Sequence, residues 1–209
     1  MLWCNLVTDG DIPSGPAKKG RPFSDATERA ILAATAQLLE EKGLADISIE
    51  EVATRARVGK ASVYRRWPSK GTLALDAFEA EFIARQPPPD TGSLRGDLTA
   101  ALRAWVRTVN DTPMGRTLRG LIAEVQRDPA LREIWRERFV TPVRAQHRLI
   151  VERAMARGEI SPATDPEIIL DLAFGAGYHR LLNGHAALDD AFVKKVVTVL
   201  LAATGASGG

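Results

Sequence analysis

The segment from Ser48 to Lys70 constrains this chain more than any other. Ile49, Val52, Ala53 and Ala56 recur at helical spacing and make one apolar face. Ser48 stands where its hydroxyl caps that helix, and Glu50 and Glu51 suit the positive N-terminal end. Val58 and Gly59 then read as a turn, and Lys60 to Arg66 as about two turns of a second helix. Val63 and Trp67 share its inner face, which leaves Lys60, Ser62, Tyr64 and Arg65 free. Proline disfavours the helical conformation in the residue before it, so Trp67-Pro68 closes the element. Two short helices around a tight turn, the second rich in hydrogen-bond donors, form a helix-turn-helix. Donors are what DNA phosphates and base edges accept.

The same residues resemble the DNA-binding domain of the tetracycline-repressor (TetR) family of bacterial transcription regulators. The family pattern is Thr/Ser-x-x-x-Ile/Val-Ala, a turn, then Tyr-x-x-aromatic and x-Ser-Lys. Ser48, Val52-Ala53, Tyr64, Trp67 and Ser69-Lys70 fit it, and the likeness runs from Ser24 to Phe82. It implies that Tyr64 and Lys70 contact phosphates. Lys60, Ser62 and Arg65 are the donors facing the groove, and Ser48, Gly59 and Ala61 complete the expected DNA-binding set. Two positions depart from the pattern: Arg57 stands where the family's turn carries Gly, and Gly59 where it often carries Ser. A left-handed backbone at position 57 would cost Arg about 1 kcal/mol relative to Gly. The expectation is that Gly59 takes over the flexible position.

Charge follows the same division. The whole chain has a formal net charge of +2. Residues 16–70 carry eleven Lys/Arg against seven Asp/Glu, whereas residues 71–209 balance at seventeen of each. The basic excess therefore lies with the helix-turn-helix; a solvated helix face would give the same asymmetry. Residues 1–22 have little periodicity and read as a disordered basic arm. Within it, Lys18, Lys19 and Arg21 flank a Gly-Arg-Pro peptide of the kind that lays an arginine into a narrow minor groove. A solubilising linker is the other reading. Met1–Val7 lacks a basic start and makes a poor signal peptide, and no apolar run approaches the about 18 residues of a membrane span. A cytoplasmic protein without membrane contact is expected. With Cys4 as its single cysteine, the chain holds no internal disulfide framework.

The rest reads as all-α, with no convincing strand. The helix-turn-helix domain spans residues 23–86, and Pro87-Pro88-Pro89 marks a junction that keeps two helical bodies at a defined spacing. Residues 94–205 form the larger domain, with Pro142 expected to kink a long helix and Asp165 and Asp189 opening the last two. Those two helices, at 167–183 and 190–204, are apolar round too much of their circumference for one core. A homodimer through them, as a four-helix seam, is expected; a purely internal core is the other reading. The family habit of dimerising this way points the same direction.

No catalytic constellation emerges. His147, His179 and His185 form no helical metal pair, and His179 and His185 would lie on opposite sides if their helix continued. No nucleophile elbow, phosphate loop or dinucleotide fingerprint is present, so neither an enzyme, a metal site nor a cofactor is expected. Trp105, Leu118, Ile122, Trp135, Phe139, His147, Phe174 and Tyr178 are the candidate lining of an apolar effector pocket; a plain core is the alternative for each. The resemblance implies a homodimeric repressor on a near-palindromic double-stranded operator, released by a hydrophobic or amphipathic small molecule. An effector-free architectural DNA-binding protein is the alternative, with a small helical enzyme third.

Overall fold

The computed structural model describes residues 25–82 and 87–205, with the side chains of residues 81 and 82 excepted. The proposed arm, with Lys18, Lys19 and Arg21, lies outside the described residues, as does Ser24. The fold is all-α. Helices α1 (Asp25–Lys42), α2 (Ile49–Arg55), α3 (Lys60–Tyr64) and α4 (Lys70–Phe82) come first. They are followed by α5 (Leu94–Asp111), α6 (Pro113–Arg127), α7 (Pro129–Trp135), a π-helical turn (Arg136–Val140), α8 (Thr141–Ala156), α9 (Pro166–Asn183) and α10 (Asp190–Thr204).

Local chemistry sets most of the boundaries. Asp128, Asp165 and Asp189 cap α7, α9 and α10 by accepting backbone N–H groups of the first turn. Gly184 and Gly205 end α9 and α10 in left-handed conformation, at φ 64° and 67°. Where a kink was expected at Pro142, the helix carries a π-turn. Proline has no N–H, and in α geometry its ring would press on the carbonyl of Arg138. One added residue widens the turn, with Thr141 N–H donating to the Arg136 carbonyl, and the helix runs on.

Packing joins the two helical groups. One apolar core contains Ile31, Leu38, Val52, Val63, Trp67, Leu73 and Phe78 from α1–α4, and also Leu118, Leu121, Leu131 and Phe139 from the larger group. A second core holds α5, α8, α9 and α10 together through Leu98, Leu102, Ile150, Ala173, Val193 and Val197. The backbones approach closely where the groups meet. A Cβ on Gly71 would lie 2.6 Å from Leu131, and one on Gly120 would lie 2.9 Å from Leu44. Direct contact, not the length of the Pro87–Pro89 segment, therefore sets the spacing. That segment is pinned to the larger group: Arg153 donates to the Pro89 carbonyl at 2.8 Å and lies 3.4 Å from Asp90. Buried Asp97 accepts the N–H and hydroxyl of Thr91 at 2.6 and 2.8 Å.

Candidate DNA-binding face and ligand cavity

The helix-turn-helix is built by its caps. Ser48 and Glu51 form a reciprocal capping box: Glu51 N–H donates to the Ser48 hydroxyl at 3.2 Å, and Ser48 N–H to the Glu51 carboxylate at 3.0 Å. Ser48 is thus occupied in starting α2. The turn after α2 is a Schellman motif, with Val58 N–H on the Ala53 carbonyl and Arg57 N–H on the Thr54 carbonyl. Its left-handed position falls on Arg57, at φ 55°, whereas Gly59 is extended at φ −72°. The expectation that Gly59 would take over is corrected: the 6→1 and 5→2 bonds fix the register, and Arg57 carries the strain.

Gly59 caps α3 with backbone alone, and Val63 and Trp67 anchor the helix in the core. Its outer face presents Lys60, Ala61, Tyr64 and Arg65, all exposed, with Ser62 half-buried. The donors rest on exchangeable partners. Lys60 pairs with Glu50 and lies 5.6 Å from the Tyr64 ring, and Arg65 donates to the Ser62 hydroxyl at 2.9 Å. Exposed pairs of this kind contribute little, so phosphates can replace them. Lys70, at the start of α4, donates to the Ala45 carbonyl at 2.8 Å. Trp67 donates its indole N–H to Asp76 of α4 at 2.7 Å, which ties the end of α3 to the next helix.

A cavity of about 1050 Å³ opens between the two helical groups. Of the eight residues expected to line it, Trp105, Leu118, Phe139, His147, Phe174 and Tyr178 do so. Trp135 and Ile122 do not. Trp135 is buried in the core, 5.9 Å from the Phe78 ring and 4.3 Å from that of Phe139, and Ile122 packs against the same cluster. Sequence reasoning missed the other wall: Ala33 and Gln37 of α1 and Ala77 and Phe78 of α4. The small residues on the outer side of α1 were the only available signal.

The inner wall is aromatic, and Gln37, Glu40, Arg107, Arg144 and Gln146 also border the cavity. His147 lies 4.6 Å from Phe174, and Trp105 lies 5.3 Å from Tyr178. Gly177 makes room for the Trp105 ring, since a Cβ there would come within 2.5 Å of it. His147 Nδ1 is 3.0 Å from the Val143 carbonyl, which assigns the proton to Nδ1 and leaves Nε2 an acceptor. Burial lowers the imidazole pKa from its ordinary range, opposed by that backbone hydrogen bond, so the neutral ring is favoured. Burial likewise raises the Tyr178 phenol. The Trp105 N–H is buried and makes no hydrogen bond of good geometry, although it is near enough to the Tyr178 oxygen to favour the phenolate slightly. Arg144 is held by Glu167 and Asp171.

The last two helices each bury one face. Ile169, Leu170, Ala173 and Leu181 of α9, and Phe192, Val193, Val197, Leu200 and Leu201 of α10, are core residues. Val197 therefore belongs to the protomer's own interior and not to a seam. The opposite faces keep Ile168, Leu172 and Leu182 about half exposed, and Val199 is 67% exposed. Left-handed Gly184 turns the chain back, so His185 meets His179 at 4.8 Å instead of lying opposite it. Among the described residues no group of three potential metal ligands forms, and no helix is long and apolar enough to cross a membrane.

A donor-bearing helix on a capped turn, carried by a larger helical body, defines a helix-turn-helix DNA-binding regulator. Comparison with known proteins gives the family. Residues 31–77 match the model of bacterial regulatory proteins of the tetR family, and residues 88–200 that of the tetracyclin repressor-like C-terminal domain. The HTH-type transcriptional regulator YdeS of Bacillus subtilis is 34% identical over 87% of this chain and 91% of its own length. The DNA-binding transcriptional repressor TetR of Mycobacteroides abscessus is 34% identical over 82% of this chain and 90% of its own. The crystal structure of the TetR family transcription regulator SCO0332 superposes with a TM-score of 0.73 at 38% identity, covering 85% of this chain and 98% of that one. The chain belongs to the TetR family of transcriptional regulators, and its relatives are regulators, not enzymes.

Proposed function

We propose that the protein is a homodimeric repressor that binds a near-palindromic operator in the cytoplasm and is released by a hydrophobic or amphipathic small molecule. The carrying observation is the shared cavity. Its walls come from α1 and α4 of the DNA-binding group as well as from α5, α6, α8 and α9, so an occupant touches the helices that hold α3. A ligand fitting one arrangement of those walls better than another shifts their equilibrium. Repression is supported by the 34%-identical repressor of M. abscessus. The dimer reading draws on the large apolar side chains left exposed on these helices, Ile168, Leu172 and Leu182 of α9 and Val199 of α10.

The ligand class follows from the wall. The neutral His147 offers an acceptor at Nε2, Tyr178 offers a hydroxyl, and the surrounding rings offer apolar contact. An aromatic or alicyclic molecule with one donor and one acceptor satisfies them. Selection of DNA from a random pool, followed by sedimentation of the complex, tests the reading. A palindromic consensus bound by an even number of subunits is expected; an asymmetric consensus bound by one subunit would reject it. The cavity disfavours the architectural alternative, which has no use for one.

A further inference from the structure

We propose that Arg138 is a positioning residue for DNA binding: its bridge to α4 fixes Asp76, and Asp76 in turn fixes Trp67 at the end of the recognition helix. The inference rests on the reading of α3 as the helix that enters DNA. Arg138 sits on the π-turn and reaches across to α4, where it pairs with Asp76 Oδ1 at 2.8 Å and with Glu79. The other oxygen of Asp76, Oδ2, accepts the Trp67 indole N–H at 2.7 Å. Trp67 is 1% exposed, and its backbone N–H donates to the Val63 carbonyl, so it closes α3. One carboxylate thus carries a guanidinium from the larger body on one side and the recognition helix on the other.

Two further observations set this apart from an ordinary surface pair. Glu79 is 9% exposed, and its Oε1 is buried with no hydrogen-bond partner. A half-satisfied buried carboxylate is retained at a cost, and Arg138 is the cation beside it. Burial raises the Glu79 pKa against the pull of Arg138. The position of Arg138 also depends on the extra residue of the π-turn, an insertion that often marks functional sites. Phe139, the next residue on that turn, lines the cavity and packs edge-on against Phe78 of α4, with ring centroids 5.1 Å apart. The bridge therefore stands beside Ala77, Phe78 and Phe139, which line the cavity.

The test uses the full chain in a Glu79→Gln background, so that removing Arg138 does not leave Glu79 as an unpaired buried charge and acts through Asp76 alone. Arg138→Met in that background is expected to speed exchange of the Trp67 indole proton, followed by NMR, about tenfold or more, with Arg138→Lys restoring most of the protection. Binding to the DNA consensus selected by the wild type should weaken about tenfold. Adding Trp67→Phe to Arg138→Met should weaken it little further, because both changes cut the same link. Unchanged indole exchange, or DNA losses that simply multiply, would overturn the proposal. If the wild type selects no DNA, the functional reading fails, while the indole exchange still judges the link between Arg138 and Trp67.

Discussion

The reading head and the cavity are built by different kinds of information. In α2 and α3 the caps and closing backbone bonds lie within a few residues of their partners: Ser48 with Glu51, Ala53 with Val58, Val63 with Trp67. The cavity draws Gln37, Phe78, Trp105, Leu118, His147 and Phe174 together from across the chain. A cavity between two bodies changes whenever they move, which suits it to sensing.

The largest expected effect contrasts two residues of α10. Val199→Glu places a carboxylate on the exposed apolar face, where a partner would bury it at several kcal/mol per site. The protein should stay folded, sediment as a monomer and lose operator binding. Val197→Glu should instead unfold the protomer, because Val197 is 2% exposed in its core. Circular dichroism with sedimentation separates the two; a folded, dimeric Val199→Glu protein would remove the seam.

Next comes the reading head itself. Arg65→Ala should relax preference at one base pair in each half-site, by about 1–3 kcal/mol, since arginine is the usual guanine reader. An unchanged consensus would take Arg65 out of base readout. Lys70→Ala should weaken all sequences alike and reduce the salt slope by about one; an unaltered slope would argue that Lys70 serves only the Ala45 carbonyl. Arg57→Gly should stabilise the fold by about 1 kcal/mol by relieving the left-handed arginine. A lowered denaturation midpoint would contradict that.

The smallest effect concerns pH and belongs to the cavity. Burial lowers the His147 pKa in the folded state, so the unfolded chain binds the proton more readily. Stability from this residue is then present above the ordinary imidazole pKa and is lost as pH falls through it. His147→Phe should flatten the fall in urea midpoint between about pH 7 and pH 5. An identical pH profile in the variant would show that His147 titrates freely.

These contrasts explain what was legible in the sequence. Caps, apolar spacing and proline breaks are local, so α2, α3, the Asp165 and Asp189 helix starts and the all-α class could be read directly. Ser48 and Trp67 had visible roles because their partners are near. Which face of α10 is inside was not readable, because Val197 and Val199 differ only in what packs against them. The fold-back at Gly184 that joins His179 to His185 needed a left-handed turn that the pattern of side chains does not announce. Trp135 looked like the other aromatics, yet it fills the interior under α4 while Phe139 reaches the cavity. Pro142 marked the place of an interruption, but that it takes the form of a π-turn was not readable from the sequence.

The central claim is that the cavity and the DNA-binding face share one equilibrium. Its most direct test takes an uncharged aromatic compound found by thermal-shift screening and measures its Kd for the free protein and for the protein saturated with selected DNA. Linkage requires the effect to be mutual. Coupling through α1 and α4 predicts binding at least about fivefold weaker on the DNA complex, with DNA affinity reduced by the same factor when the compound is present. Equal affinity for the free and DNA-bound protein would contradict it.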